Sequence, residues 1–415
     1  MMTFRWLLTA LVLVPAFLPA EAAAQEAAAL TRQHFEAGTL AEGEGALAAR
    51  LAANAGDDEA RFGLGMVRFG RALEKFAQHQ YRYGLQPTGE RIVPFLRLPA
   101  PPNPNAERLT YEAQRAAFQA MIDDFAGVEA TLAAMGPGDA RIMLDLEKIR
   151  FSLAGAGGAE QAVPLMDLLR AAASMGQPKA GAAAEPFEAV FDRADVTWLR
   201  GYCRLLSAML EFVLAYDWRE TFAKTAGVFY PNLRADGIVD DSSLGNLVGG
   251  ADSATFFADI IVMIHEVRWP VAEPARMGRV RDNLKQVIAL SRENWRAILA
   301  EKDNDREWVP SPLQTSGVFP TMQVTQERVD AWHAALGEFD AVLDGRLLVP
   351  HWRMAKGINI GGFSRSRGPF DLVLWITGHG AVPYLEDGPV MSSQSWRAWQ
   401  QIFGGNFFMF AVYFN

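Results

Sequence analysis

The chain has 415 residues, half of them hydrophobic, a net charge of −9 and a single cysteine. An acidic balance of that size argues against a nucleic acid or another polyanion as the main partner. One thiol cannot close an internal disulfide, so stability has to come from burial, and this length can bury one large core or two medium ones.

The N-terminus reads MMTFRWLLTALVLVPAFLPAEAAAQ. Arg5, an apolar run from Trp6 to Ala20 and the small residues Ala22 to Ala24 make the pattern of a secretory signal peptide cleaved after Ala24. Pro15 and Pro19 break the run, which falls short of the roughly 20 apolar residues that span a bilayer. The expected location is therefore periplasmic or secreted, with no transmembrane segment left after cleavage.

From Thr31 to about Leu85 the pattern is helical. FEAGTLAEGEGALAARLAANAGDDEA, Phe35 to Ala60, resembles the second helix of a tetratricopeptide repeat running into its closing turn. RFGLGMVRFGRALEKF, Arg61 to Phe76, resembles the first helix of the next unit, with Leu64 and Gly65 at the small-residue packing position. Gly38 and Gly65 lie about 27 residues apart against about 34 in that repeat, so the resemblance, over residues 31–83, implies a helical hairpin of that style and no peptide groove. Arg61, Arg68, Lys75 and Arg82 recur every seven residues along the second helix, a basic stripe expected to pair with Glu59 and Glu74.

LPAPPNPN, Leu98 to Asn105, lacks backbone donors at its prolines and reads as a linker or strap. Phe118, Ile122, Phe125, Val128 and Leu132 then form a helical stripe. Further helices are expected over Asp139–Leu153 and Glu160–Met175, with a loop from Gly176 to Pro186. Asp195 to Trp218 is apolar almost all round, which marks a helix buried in a bundle. It holds Cys203, expected as inert packing, and Arg200 and Arg204, one turn apart. Their repulsion requires an anionic partner, either an internal acid such as Glu211 or a bound ligand.

A turn-rich loop is expected over Tyr230–Ser253, followed by helices over Ser253–Arg268, Pro274–Glu301 and Thr325–Leu343, the last with Thr325 as N-cap. EKDNDREW, Glu301 to Trp308, sets Asp303, Asp305 and Glu307 at alternating positions, as calcium loops do, but lacks their turning glycine and later glutamate. It reads as a solvated helix exit. From Leu347 the runs LLVPHW, DLVLWIT and NFFMFAVYF read as strands.

The fold class these readings give is mainly α: a helical bundle or repeat-like domain over 25–235 and a small α+β domain over 236–415. No hydrolase elbow, zinc helix, phosphate loop or dinucleotide fingerprint is present. The six histidines are too far apart to chelate from one helix, so zinc or iron would need ligands assembled from distant segments; no metal set and no cofactor is expected. The function that fits is an exported cell-envelope binding or scaffold protein with an envelope protein or glycan as partner. Arg200, Arg204 and Trp375 are the candidate ligand-binding residues. The alternative is a periplasmic hydrolase acting on glycan. Its acid/base pair would join Glu386 or Asp387 to Asp303, Asp305 or Glu307, assisted by His351 or by His379, the latter in the loop WITGHGAVPYLEDGP.

Overall fold

A computed structural model describes residues 20–85, 102–155, 162–167, 187–233, 251–317, 323–395 and 397. It is mainly α with small two-stranded antiparallel sheets. Among the described residues no helix is long and apolar enough to cross a membrane.

Four helices build the N-terminal array: α1 (Ala20–Ala37), α2 (Leu40–Ala53), α3 (Asp58–Arg82) and α4 (Tyr111–Ala133). Two of their starts are marked chemically. Asp57 accepts a hydrogen bond from Ala60 N at 2.9 Å, and Thr110 accepts one from Ala113 N at 3.1 Å, each filling a donor that the first helical turn leaves open. Helix α3 touches α1, α2 and α4, and glycine permits that approach. A Cβ at Gly63 would run into Thr31, and one at Gly65 into Leu132. Phe62, Val67, Phe125, Leu132 and Ile142 are buried together in the resulting core.

The next helices are α5 (Arg193–Ala215) and α6 (Arg219–Phe229). After them come α7 (Ala251–Glu266), α8 (Ala275–Ile298) and α9 (Gln326–Leu343). Helix α5 lies between α4 and α8, which explains why its sequence is apolar on nearly every side. Cys203 on its buried face is 1% exposed, and burial pushes its thiol well above the usual range, so it packs inertly. The expected domain boundary at 235/236 lies outside the described residues, but α5 and α8 on either side of it pack along each other. Ala194 shares a core with Ile288, Trp295 and Trp332. Arg276 fastens this junction, donating to Glu211 at 2.9 Å, Glu273 at 2.8 Å and Gln119 at 2.8 Å.

Two expected elements come out differently. Asp139–Leu153 is not a helix but β1 (Ile142–Asp145), a turn, and β2 (Arg150–Phe151). Ile142, Leu146, Ile149 and Leu153 are spaced as a helical stripe, and all four are buried. Ile142 reaches the core from a strand and the other three from the turns on either side of β2, because β4 (Glu188–Phe191) pairs with β1 in the register Ile142↔Phe191, and a partner so distant in sequence overrides local periodicity. Within the expected helix Glu160–Met175, Val163–Pro164 is β3, paired with β2, and 165–167 are helical; 156–161 and 168–186 lie outside the described residues. The loop expected over Tyr230–Ser253 falls mostly at 234–250, also outside them.

In the C-terminal part, β5 (Arg268–Trp269) pairs with β7 (Phe370–Asp371), and β6 (Gly357–Ile358) with β8 (Leu385–Glu386). Between them lie α10 (Ile360–Phe363) and α11 (Leu372–Ile376). The strand expected at DLVLWIT is therefore helix α11. Asp371 caps it, accepting from Leu374 N at 2.9 Å, and a short apolar run takes whichever form its flanking cap favours. In LLVPHW only single bridges form, from Leu348 to Val390 and from Val349 to Ile358. NFFMFAVYF lies outside the described residues. The Thr325 cap forms as expected, accepting from Arg328 N at 3.3 Å.

Candidate carboxylate centre

Strand β4 ends at Phe191, and the next residue, Asp192, caps α5. Its carboxylate accepts from Ala194 N at 2.8 Å, while Asp195 reaches back to Asp192 N at 2.9 Å, a capping box that satisfies open donors in both directions. The chain leaving α8 passes Glu301 and folds back onto β4. Val190 N donates to Arg306 O at 3.0 Å and Trp308 N to Val190 O at 3.2 Å. Arg306 adopts a left-handed backbone with φ 65°, the one non-glycine residue with positive φ among those described. Its side chain is held by Glu188 at 2.7 Å.

This return sorts the alternating acids. Asp305 faces outward to Arg141 at 2.5 Å, and Asp303 lies 3.5 Å from the same guanidinium. Glu307 turns inward and is 3% exposed. Asp192, Glu301 and Glu307 then hold carboxylate oxygens within 4.8 Å of one another. Among the described residues no cation forms an ion pair with any of the three. Their partners are donors of modest strength: Asp305 N on Glu307 at 3.0 Å and Gln314 Nε2 on Glu301 at 3.2 Å.

Burial shapes the charge of the group. Loss of solvent, reinforced by the negative charge of Asp192, raises the Glu301 carboxyl to about 8. Burial also raises Glu307, Asp192 and, strongly, the adjoining Asp195. Two chemistries are open to such a group. The carboxylates can share protons near neutral pH, or a hard divalent cation can bridge them at about 2.3–2.6 Å per oxygen. Glu307 and the alternation leading to it are visible in the sequence, where no metal set is expected. Asp192, about 110 residues earlier, carries only a capping signal in the sequence, so nothing local announces its meeting with Glu301 and Glu307.

The other candidate residues are engaged elsewhere. Arg200 donates to Glu129 Oε1 at 2.8 Å, and Arg204 lies 3.1 Å from the other oxygen of the same carboxylate. The internal acid that offsets their repulsion is Glu129, while Glu211 is taken by Arg276 and Arg279. Trp375 sits in an aromatic cluster, 4.8 Å from Phe363 and stacked 5.9 Å from Tyr384. Glu386 accepts from Asn359 at 3.0 Å and Asp387 pairs with Lys356 at 2.5 Å. No hydrogen bond or ion pair among the described residues joins either to the 301–307 run. His351 accepts from Arg353 N at 3.2 Å, and His379 is exposed at the start of the 3₁₀ turn His379–Tyr384. Three residues of the basic stripe of α3 pair with acids outside that helix and not with Glu59 or Glu74: Glu44 for Arg68, Asp124 for Lys75 and Glu107 for Arg82, while Arg61 donates to Ala55 O.

A cavity of ≈ 140 Å³ lies between α3 and α4, lined by Phe76, His79, Ala117 and Met121 among others. It is well below the roughly 300 Å³ that a typical organic ligand needs. In comparisons with known proteins, no family model, no curated protein and no solved structure matches the chain.

Proposed function

We propose that the chain is an exported binding or scaffold protein of the cell envelope. The observation that supports this best is that the strongest polar candidates are tied to the chain's own elements. Arg200 and Arg204 clasp Glu129, Asp192 and Asp195 cap α5, and Glu386 holds Asn359. Groups engaged in this way hold helices and loops in register, and the helical array with its tetratricopeptide-like hairpin supplies surface for a partner. Export rests on the N-terminal pattern. Cleavage after Ala24 would keep the buried Ala27, Thr31 and Phe35 of α1. The test is to express the full chain in a Gram-negative host, fractionate the cells and measure the intact mass. A periplasmic product beginning at Gln25 is expected. A full-length product in the cytosol would overturn the reading.

One observation favours the alternative, a hydrolase acting on envelope glycan. Glu301, raised to about 8, sits beside acids within 4.8 Å. A carboxyl protonated near neutrality next to an ionised one is the arrangement of an acid/base pair. In that case Glu301 is the proton donor, and turnover fails in Glu301→Gln.

A further inference from the structure

A second surface carries chemistry unlike the rest of the molecule. From Arg346 to Phe370 the sequence holds five basic residues and no acid, in a chain whose net charge is −9. Arg346 pairs with Asp340 and Asp344, and Lys356 with Asp387. Among the described residues no carboxylate pairs with Arg353, Arg365 or Arg367. Arg353 instead donates to Thr377 O at 3.1 Å and lies 5.5 Å over the Trp352 ring. The turn at 351–354 is thereby fixed at the C-terminal end of α11. Gly378, in a left-handed conformation with φ 86°, closes the contact, since a Cβ there would meet Met354 and His351.

Register brings α7 to the same place. Strands β5 and β7 are antiparallel with Arg268 opposite Asp371. Helix α11, leaving β7, therefore runs back along α7, which leads into β5. The two helices touch, and Leu372 N donates to Val267 O at 2.9 Å. Ile261 and Ile264 belong to α7, Leu374 and Ile376 to the helix it touches, Val382 to the following 3₁₀ turn, and Trp352 to the turn that Arg353 ties to Thr377 at the end of α11. All six face water: Trp352 is 79% exposed, Ile261 58% and Ile376 57%. Exposed apolar side chains gathered on neighbouring elements mark an interaction site.

We propose that this face docks on an anionic lipid bilayer. The aliphatic side chains would enter the acyl boundary and the Trp352 indole would lie at headgroup level. Arg353, with no carboxylate of its own, would meet lipid phosphate. Charge complementarity selects this occupant, because the stretch carrying Trp352, residues 346–370, is locally basic in an acidic protein. The surface is separate from the carboxylate centre and does not depend on the function proposed above.

The test is vesicle flotation of the purified protein, with and without residues 1–24, so that binding through the leader is told apart. Vesicles of phosphatidylglycerol with phosphatidylcholine are compared with phosphatidylcholine alone, at low and high salt. Binding to the anionic vesicles is expected in both forms, weakened by salt. In the shorter form it should fall about tenfold in Ile376→Asp and in Trp352→Ala and fall again in Arg353→Glu, while Trp352→Phe keeps most of it. These positions are at the surface, and an unchanged thermal midpoint verifies the fold of each variant. The proposal is overturned if the shorter form does not bind anionic vesicles or if Ile376→Asp binds as wild type does. It also falls if the face instead drives self-association that Ile376→Asp abolishes, without vesicle binding.

Discussion

Glu301 is a carboxyl held to about 8 by burial and by the charge of Asp192, and its linkage to folding has a definite sign. Because the folded value lies above the ordinary 4.5, the native state holds a proton that the unfolded chain has released between those two values. The stability this contributes is complete below about pH 4.5 and is lost as pH rises through about 8. Glu301→Gln, which cannot ionise, should therefore be more stable than wild type at pH 8.5. A gain of about 1 kcal/mol is expected once solvent screening of a partly exposed group is allowed for, with little change at pH 4. Urea unfolding at the two pH values measures it. A divalent cation bound by the three acids would reverse the trend, because ligation requires them ionised. At this scale the sequence was legible only in part. The alternation of Asp303, Asp305 and Glu307 pointed to the right segment, but the inward turn of Glu307 depends on backbone bonds to Val190. Those bonds cross more than a hundred residues and leave no local periodicity.

Long helices were the elements that could be read, as at Pro274–Glu301 and Thr325–Leu343, which stand as α8 and α9. Thr325 and the stripe Val329, Trp332, Leu336 define α9, and three of its buried residues are those positions. Where the reading failed, at 139–153 and 372–376, the apolar spacing suited both helix and strand, and a distant strand or a neighbouring cap decided. The joints between elements were less legible still. Arg276 is nearly buried with Glu211, their side chains 9% and 5% exposed, and nothing in the sequence singles the pair out. Removing one partner leaves a buried charge without its counterion. Arg276→Met should cost about 3 kcal/mol, toward the lower end of such losses because Arg279 still reaches Glu211 at 2.8 Å. Arg276→Met combined with Glu211→Leu should cost less than Arg276→Met alone. Chemical denaturation of the single and double variants checks both expectations.

For the whole molecule, the mainly α class followed from composition and periodicity, and the α+β character near the C-terminus from its glycine and proline grammar, although the paired strands form at 357–358, 370–371 and 385–386 and not along the runs expected. The packing of α5 along α8 did not, because each helix shows only that it is apolar and not which neighbour it meets. That packing brings Asp192, at the start of α5, to Glu301, just past the end of α8. The carboxylate centre is thus a product of tertiary structure, and the choice between scaffold and hydrolase turns on what it does. The direct measurement is turnover by the purified chain, wild type and Glu301→Gln, on a panel of envelope glycan fragments, peptides and esters from pH 5 to 9. The scaffold reading predicts no turnover by either protein. Turnover by the wild type that disappears in Glu301→Gln would contradict it.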